Sequence, residues 1–336
     1  MSPSWTFGWG TFDVGNWPSA CWRPYGASSP FNQTFAELQA QGRVRPLSNS
    51  SQIVGQLMDW GGPIGMNTGD WQHPIYFSRP TDPVFTIHCT EQWGTCDVEG
   101  AQVRIPAQAR PAGGTDKHLA VIDQQTGWEY DFWNVQKDGP VGQGGVLNIS
   151  WGGKTRIDGN GLGTNATAAH FGLAAGIVRG EELKAGRIEH ALFLAVRCTN
   201  GSSVWPSAPN GTGAPCSSTY RGSAPPMGAL VRLEMTDAQI DALPVPAWKK
   251  PILKALARYG SYIGDTTGNP AMWWQFQAGE SYTSFGYEDP VAQFARDNQA
   301  QGGISYDPTY DDWHFDIKSG VDWRQYLRVY QVAPPS

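Results

Sequence analysis

The stretch GTDKHLAVIDQQTGWEYDFWNV, Gly114 to Val135, decides how the chain is read. HLAVID and WEYDFW read as two short strands, and the Gln124, Gln125, Thr126 and Gly127 between them make a loop of hairpin length containing the glycine that a tight turn needs. Pairing Asp123 with Trp128 sets Ile122 opposite Glu129, Ala120 opposite Asp131 and His118 opposite Trp133. Directly opposite residues of an antiparallel ladder share a face. Leu119, Val121, Tyr130 and Phe132 then form an apolar face directed into a core, while Asp116, His118, Glu129, Asp131 and Trp133 gather on the other. A slip of one residue would put the apolar set in water, so the pattern itself holds the register.

The second face is unusual in its chemistry. A solvated sheet face is ordinarily rich in Thr, Ser, Lys and Glu, whereas this one collects Asp116, Asp131, Glu129, a histidine and a tryptophan. Strands lie about 4.8 Å apart and next-but-one residues about 6.6 Å apart, so His118 and Asp131 are expected as diagonal neighbours. A carboxyl beside a histidine tunes its proton affinity, and an indole beside both offers a stacking surface for a sugar ring. The plain alternative is a wet sheet face with no task.

The rest of the chain supports a β-rich protein. Its 336 residues include 41 Gly, 25 Pro and 16 Trp, with only 16% charged residues, a turn-rich and aromatic-rich composition unlike that of a helical or disordered chain. Further strands are expected at PVFTIHC, AQVRIP, RIEHALFLAVRC and GALVRLEM. Short helices are expected around FAELQAQG and SSQIVGQLMDW, where Ser51 is placed to cap, and one amphipathic helix carries Trp248, Ile252, Leu256 and Tyr259 on one side with Gly260 at its end. Residues 1 to about 70 read as an irregular wrap around one domain spanning 1–336, because no repeat and no linker divides the chain. Many short strands under a few short helices imply an antiparallel β-sandwich of jelly-roll or legume-lectin-like type, with a concave face suited to a glycan.

A net charge of −6 with no Lys/Arg-rich element argues against nucleic acid, and the longest apolar runs are far shorter than the roughly 20 residues of a membrane helix. The same charge balance favours a neutral glycan over a polyanionic one. Cys89 and Cys96 flank one short loop and Cys198 and Cys216 another, which reads as two loop-stapling disulfides of a secreted protein, with Cys21 left as a buried thiol. The opening MSPSWTFGWGTF has no signal-peptide pattern, so secretion requires that the sequence begin at the mature form. Six Asn-x-Ser/Thr sequons, at Asn32, Asn49, Asn148, Asn165, Asn200 and Asn210, matter only where the source glycosylates.

Asp116-x-His118-Leu-Ala-Val-Ile-Asp123, Tyr130-Asp131, GIVRGEELKAGRIEHALFLAV, the PPMG of Pro225 to Gly228, and RYG ending at Gly260 with Asp265 shortly after are similar, from about Asp97 to Thr267, to a group of secreted bacterial proteins of unassigned activity. In that group the acid after the tyrosine is usually Glu, so Asp131 is a shorter equivalent and Glu129 has no counterpart. The resemblance directs attention to Asp116, His118, Asp131, His190 and Asp265. Glu129-Tyr130-Asp131 also resembles the first half of the Glu-x-Asp-x-x-Glu strand of laminarinase-like jelly-roll glycosidases.

These residues imply a glycoside hydrolase in which Asp116 and Asp131 are the paired carboxyls, His118 sets which one keeps its proton, and His190 completes the catalytic set. Carboxyls about 5 to 5.5 Å apart retain, and about 6.5 to 9.5 Å apart invert, the anomeric configuration. Glu129, Asp265, Trp128, Trp133 and the neighbours Trp273 and Trp274 are the expected substrate contacts, with His73, His88, His170 and His314 as lesser candidates. No cofactor is required. One alternative is a polysaccharide lyase with a His or Tyr base, which needs a cation facing the groove, and Lys117 falls on the opposite face. Another is a carbohydrate-binding module in which Asp116, His118, Asp131 and His190 hold a structural metal such as zinc or manganese.

Overall fold

The computed structural model describes residues 6–7, 10–164, 166–211 and 213–335. Most of its regular structure lies in two large mixed sheets. The six-stranded sheet runs, in spatial order, Ile75–Ser78, Leu119–Asp123, Trp128–Val135, Gly145–Arg156, Val84–Cys89 and Gln102–Arg104. The nine-stranded sheet runs Ile304–Asp307, Asp312–Asp316, Ile64–Asn67, Met272–Trp274, Leu192–Val196, Ser261–Thr266, Leu230–Leu233, Leu327–Val332 and Val44–Pro46.

The hairpin forms in the register that its alternation implies, with Asp123 opposite Trp128, Ile122 opposite Glu129 and Ala120 opposite Asp131. The ladder ends at Leu119 and Phe132, so His118 and Trp133 are not a ladder pair. Beyond that point Lys117 (φ 38°) and Asn134 (φ 50°) both enter the left-handed region, and the Asn134 N–H donates to the Asp116 carbonyl at 2.6 Å. This paired kink ends the two-strand ladder next to Asp116.

Purely antiparallel pairing, expected from the many short strands, is corrected. Ile75–Ser78 runs parallel to Leu119–Asp123, Gly145–Arg156 to Val84–Cys89, Leu192–Val196 to Ser261–Thr266, and Met272–Trp274 to Ile64–Asn67. Parallel neighbours need crossover connections. The one between Leu192–Val196 and Ser261–Thr266 contains both Leu230–Leu233 and the amphipathic helix Lys250–Arg258, which buries Ile252, Leu253 and Leu256 and ends at Gly260 (φ 79°).

Both faces of the hairpin are buried. Leu119, Val121, Tyr130 and Phe132 pack with Phe85, Val103 and Leu147 in one cluster. Ala120 and Ile122, on the face that carries Glu129 and Asp131, join a larger cluster that holds Phe193, Leu194, Tyr262 and Trp274 of the nine-stranded sheet. The apolar interior on the second face is what a solvated-sheet reading lacks.

The expected short helices occur at Phe35–Ala40 and Ser50–Asp59; Asn49, not Ser51, holds the N-cap position of the second. The N-terminal region is less of a wrap than expected, since Ile64–Asn67 is an interior strand and Val44–Pro46 an edge strand of the nine-stranded sheet. The C-terminal region supplies a short helix, Trp323–Tyr326, and then the strand Leu327–Val332. Both disulfides, Cys89–Cys96 and Cys198–Cys216, are formed, and Cys21 is half-buried beside Arg187. Among the described residues no helix is long and apolar enough to cross a membrane. The sequon at Asn165 lies outside the described residues, and Asn32 is buried, its amide donating to the Pro24 and Gly26 carbonyls.

Candidate functional site

Glu129 and Asp131 are the innermost acids of the protein, both with no exposed surface. They are sealed by the chain segment after Thr164, whose Leu173 N–H donates to Asp131 Oδ2 at 3.2 Å and whose Ala174 N–H donates to Glu129 Oε1 at 2.8 Å. Tyr25, itself fully buried, donates its hydroxyl to Glu129 Oε2 at 2.7 Å. Gly172 lets that segment approach so closely, because a Cβ there would collide with the Tyr25 hydroxyl. Burial, and then the neighbouring Glu129, push the Asp131 carboxyl well above the usual range; burial likewise raises Glu129. Asp131 Oδ1 is buried without a hydrogen-bond partner.

Asp131 is therefore not the wall of an open groove, as the hairpin alone suggested, but part of a closed polar cluster that anchors the covering segment. A carboxyl raised on folding favours the folded state while it is protonated and loses that contribution as pH climbs from its ordinary value toward its folded one. Asp131→Asn, which needs no proton to remain neutral, is expected to hold its melting temperature between pH 4 and 8 better than wild type. Thermal unfolding across that range checks this; an equal decline in both proteins would contradict it.

The accessible chemistry lies beside this cluster. Two cavities, of about 540 Å³ and about 750 Å³, share Asp116, Asp265 and Thr266 in their walls. Each carboxyl reaches that position through a local irregularity. Asp116 comes from the hairpin kink, and its Oδ1 accepts the indole N–H of Trp133 at 3.4 Å. Asp265 follows a bulge at Gly264, where Leu194 pairs with Ile263 but Ala195 pairs with Asp265. A Cβ at Gly264 would collide with the ring of Phe193, so the bulge residue must be glycine. Asp265 accepts the Thr266 N–H at 2.7 Å and the Ala168 N–H at 3.2 Å. Burial pushes its carboxyl up to about 6 against the pull of those two donors, with the nearby Asp116 charge adding to the rise.

The larger cavity is walled by indoles. Trp93 is 63% exposed on the loop closed by Cys89–Cys96, and its ring centroid lies 5.6 Å from Trp133 and 5.7 Å from Trp151. His170, in the left-handed region at φ 62°, lines the same cavity. The smaller cavity is lined by Trp71, Trp273, His73 and His118, with the Trp273 indole donating to Asn67 Oδ1 at 3.3 Å. Neither lining contains a Lys or Arg among the described residues.

Other expected site residues lie elsewhere. His190 is buried against Glu182, its Nε2 3.1 Å from Oε1, in a pair completed by Arg179 at 2.9 Å. His190 therefore lies in a buried ion-pair cluster and lines neither of the two cavities. Trp274 is wholly buried, 6.1 Å from Trp323, and is core; Trp128, under Lys154 and Arg156, sits at the turn end of the hairpin and lines neither cavity. His88 pairs with Glu99 on the surface, and His314 pairs with Asp312. Among the described residues no group of three or more His, Cys, Asp or Glu is placed to hold a metal ion, so Asp116, His118, Asp131 and His190 are not a ligand set.

His73, Trp93 and Trp151 join the cavity walls without a strong signal in the sequence. His73 precedes Pro74 in an irregular stretch with no periodicity to place it, whereas Trp93 carried one usable signal, its position in a loop between two cysteines. Comparison with protein-family models, curated proteins and solved structures gives no significant match.

Proposed function

We propose that the protein is a secreted glycoside hydrolase whose scissile bond lies between the two cavities, with Asp265 as proton donor and Asp116 as nucleophile or base. The observation that carries this reading is that two carboxyls, and no basic residue, occupy the wall common to both cavities. A glycosidase needs such a pair flanking the bond it breaks, one member protonated near neutral pH. Asp265, raised to about 6, suits the acid role. The indoles of Trp93, Trp133 and Trp151 suit a glycan bound by stacking. The two disulfides fit an oxidising, extracellular setting. A uronate lyase would need a cation in the wall, which favours the hydrolase.

The pH profile tests the role of Asp265. Cleavage requires its protonated form, so kcat/KM on a soluble polysaccharide is expected to fall as pH rises through about 6, and Asp265→Glu is expected to shift that limb. An alkaline limb that stays in place in the variant would remove Asp265 from the acid role.

A further inference from the structure

The cavity of about 540 Å³ contains a device the hydrolase reading does not use. His73 is 2% exposed and lines the cavity floor, with His118 behind it at 4.9 Å between ring centroids and edge to face. Its Nδ1 lies 2.8 Å from the Leu173 carbonyl oxygen. A carbonyl only accepts, so Nδ1 carries the proton and Nε2 is left as a lone-pair acceptor. Among the described residues no protein group donates to it, and it opens onto the cavity. His118 is fixed the other way round, its Nε2 3.2 Å from the Ala166 carbonyl. Burial, and for His73 also the adjoining His118, hold both rings neutral, His73 down to about 3 and His118 to about 4; Asp116 pulls weakly in the opposite sense on His73.

An acceptor that opens into a cavity takes its donor from whatever fills that cavity, a water or a ligand hydroxyl. The remaining lining chemistry narrows what that is. Asp70, Asp116 and Asp265 stand around the cavity with no Lys or Arg, which repels a carboxylate, sulfate or phosphate. Trp71 and Trp273 supply flat apolar walls, while the Asn67 and Gln72 amides in the same wall are bonded to each other and to Asp312, Trp273 and Phe276. Flat apolar faces, edge hydroxyls and no negative charge describe a pyranose.

We infer that this cavity is the specificity arm of the cleft, in which His73 Nε2 accepts a hydrogen bond from a hydroxyl of one sugar residue that bears no acidic group. The inference rests on the hydrolase reading only for where the bond is cut; recognition by His73 is separate from cleavage. Because His73 keeps one protonation state across the working range, its hydrogen bond to the sugar does not change with pH, whereas Asp265, in the wall of the same cavity, titrates near 6 and governs cleavage.

Titration of the full chain with methyl glycosides of glucose, galactose, mannose, xylose and N-acetylglucosamine, and with methyl glucuronoside, tests this by calorimetry or saturation-transfer NMR. At least one neutral glycoside is expected to bind at both pH 5 and pH 8, and the glucuronoside more weakly than the neutral glycosides. His73→Asn keeps a donor for the Leu173 carbonyl but removes the acceptor, and is expected to weaken binding at least tenfold. His73→Gln keeps an acceptor near the Nε2 position, gives up the Leu173 anchor, and is expected to restore part of the affinity. A merely structural histidine would be harmed more by Gln than by Asn. No binding by any neutral glycoside, equal or tighter binding of the glucuronoside, or full affinity in His73→Asn would overturn the inference. Binding without cleavage of any polysaccharide would instead sink the hydrolase reading and leave this one standing.

Discussion

Asp265→Asn is expected to lower kcat/KM for polysaccharide cleavage by about 10²- to 10⁴-fold, the usual loss when a positioned general acid is removed. The substitution keeps the shape of the side chain and one of its two anchors: the amide oxygen can accept the Thr266 N–H that donates to Oδ1 at 2.7 Å, while the amide nitrogen replaces the Oδ2 that accepts from Ala168 N–H at 3.2 Å, so folding of the variant is checked first. It removes the proton that Asp265 keeps up to about pH 6. An acid assists a poor leaving group far more than a good one, so the loss is expected to shrink on aryl glycosides whose phenols leave without protonation. Equal losses on both substrate types, or no loss, would assign Asp265 to substrate binding or to structure. Burial makes this residue an acid: the same carboxyl on an open strand would be ionised at neutral pH and unable to donate.

The second large effect concerns stability. Arg179→Ala is expected to cost about 3–5 kcal/mol, because it leaves the buried Glu182 charge without its main partner. Arg179 donates to Glu182 Oε1 at 2.9 Å and also to the Pro18, Ser19 and Trp22 carbonyls, tying the N-terminal region to the helix Gly180–Ala185. Burial by itself would raise the Glu182 carboxyl, but the charges of Arg179 and then His190 hold it down to about 2. A carboxyl depressed on folding stabilises above its ordinary range near 4.5 and loses that contribution as pH falls toward 2. The gap between wild type and Arg179→Ala is therefore expected to narrow below pH 4. The double variant Arg179→Met with Glu182→Leu, which removes both charges, is expected to recover most of the loss. Urea midpoints at pH 7 and pH 3 check all three statements; a cost of Arg179→Ala below 1 kcal/mol would contradict the assignment.

The hairpin was readable because its information is local: a period of two, a glycine turn, and an apolar set that tolerates only one register. What covers it was not readable. Whether Glu129 and Asp131 meet water or a second core depends on residues 164–178 and on the nine-stranded sheet, contacts between segments far apart in sequence that no periodicity encodes. The parallel pairs were hidden for the same reason, since a short strand looks alike whichever way its neighbour runs. The pairing of His190 with Glu182, eight residues earlier, has no local signature, because a buried histidine and an exposed one share the same sequence context. Asp265 entered through the RYG-to-Asp spacing, while the bulge at Gly264 that positions it follows from Phe193, about 70 residues earlier, which no spacing rule connects.

The central claim is that Asp116 and Asp265 together cut a glycosidic bond. Product formation by purified wild-type protein on a panel of neutral and acidic polysaccharides, beside folded Asp116→Asn and Asp265→Asn variants, tests it most directly. The expected result is cleavage of a neutral glycan by wild type, lost in both variants while Asp131→Asn stays active. No product from any glycan, or a wild-type rate in either Asp116→Asn or Asp265→Asn, would contradict it.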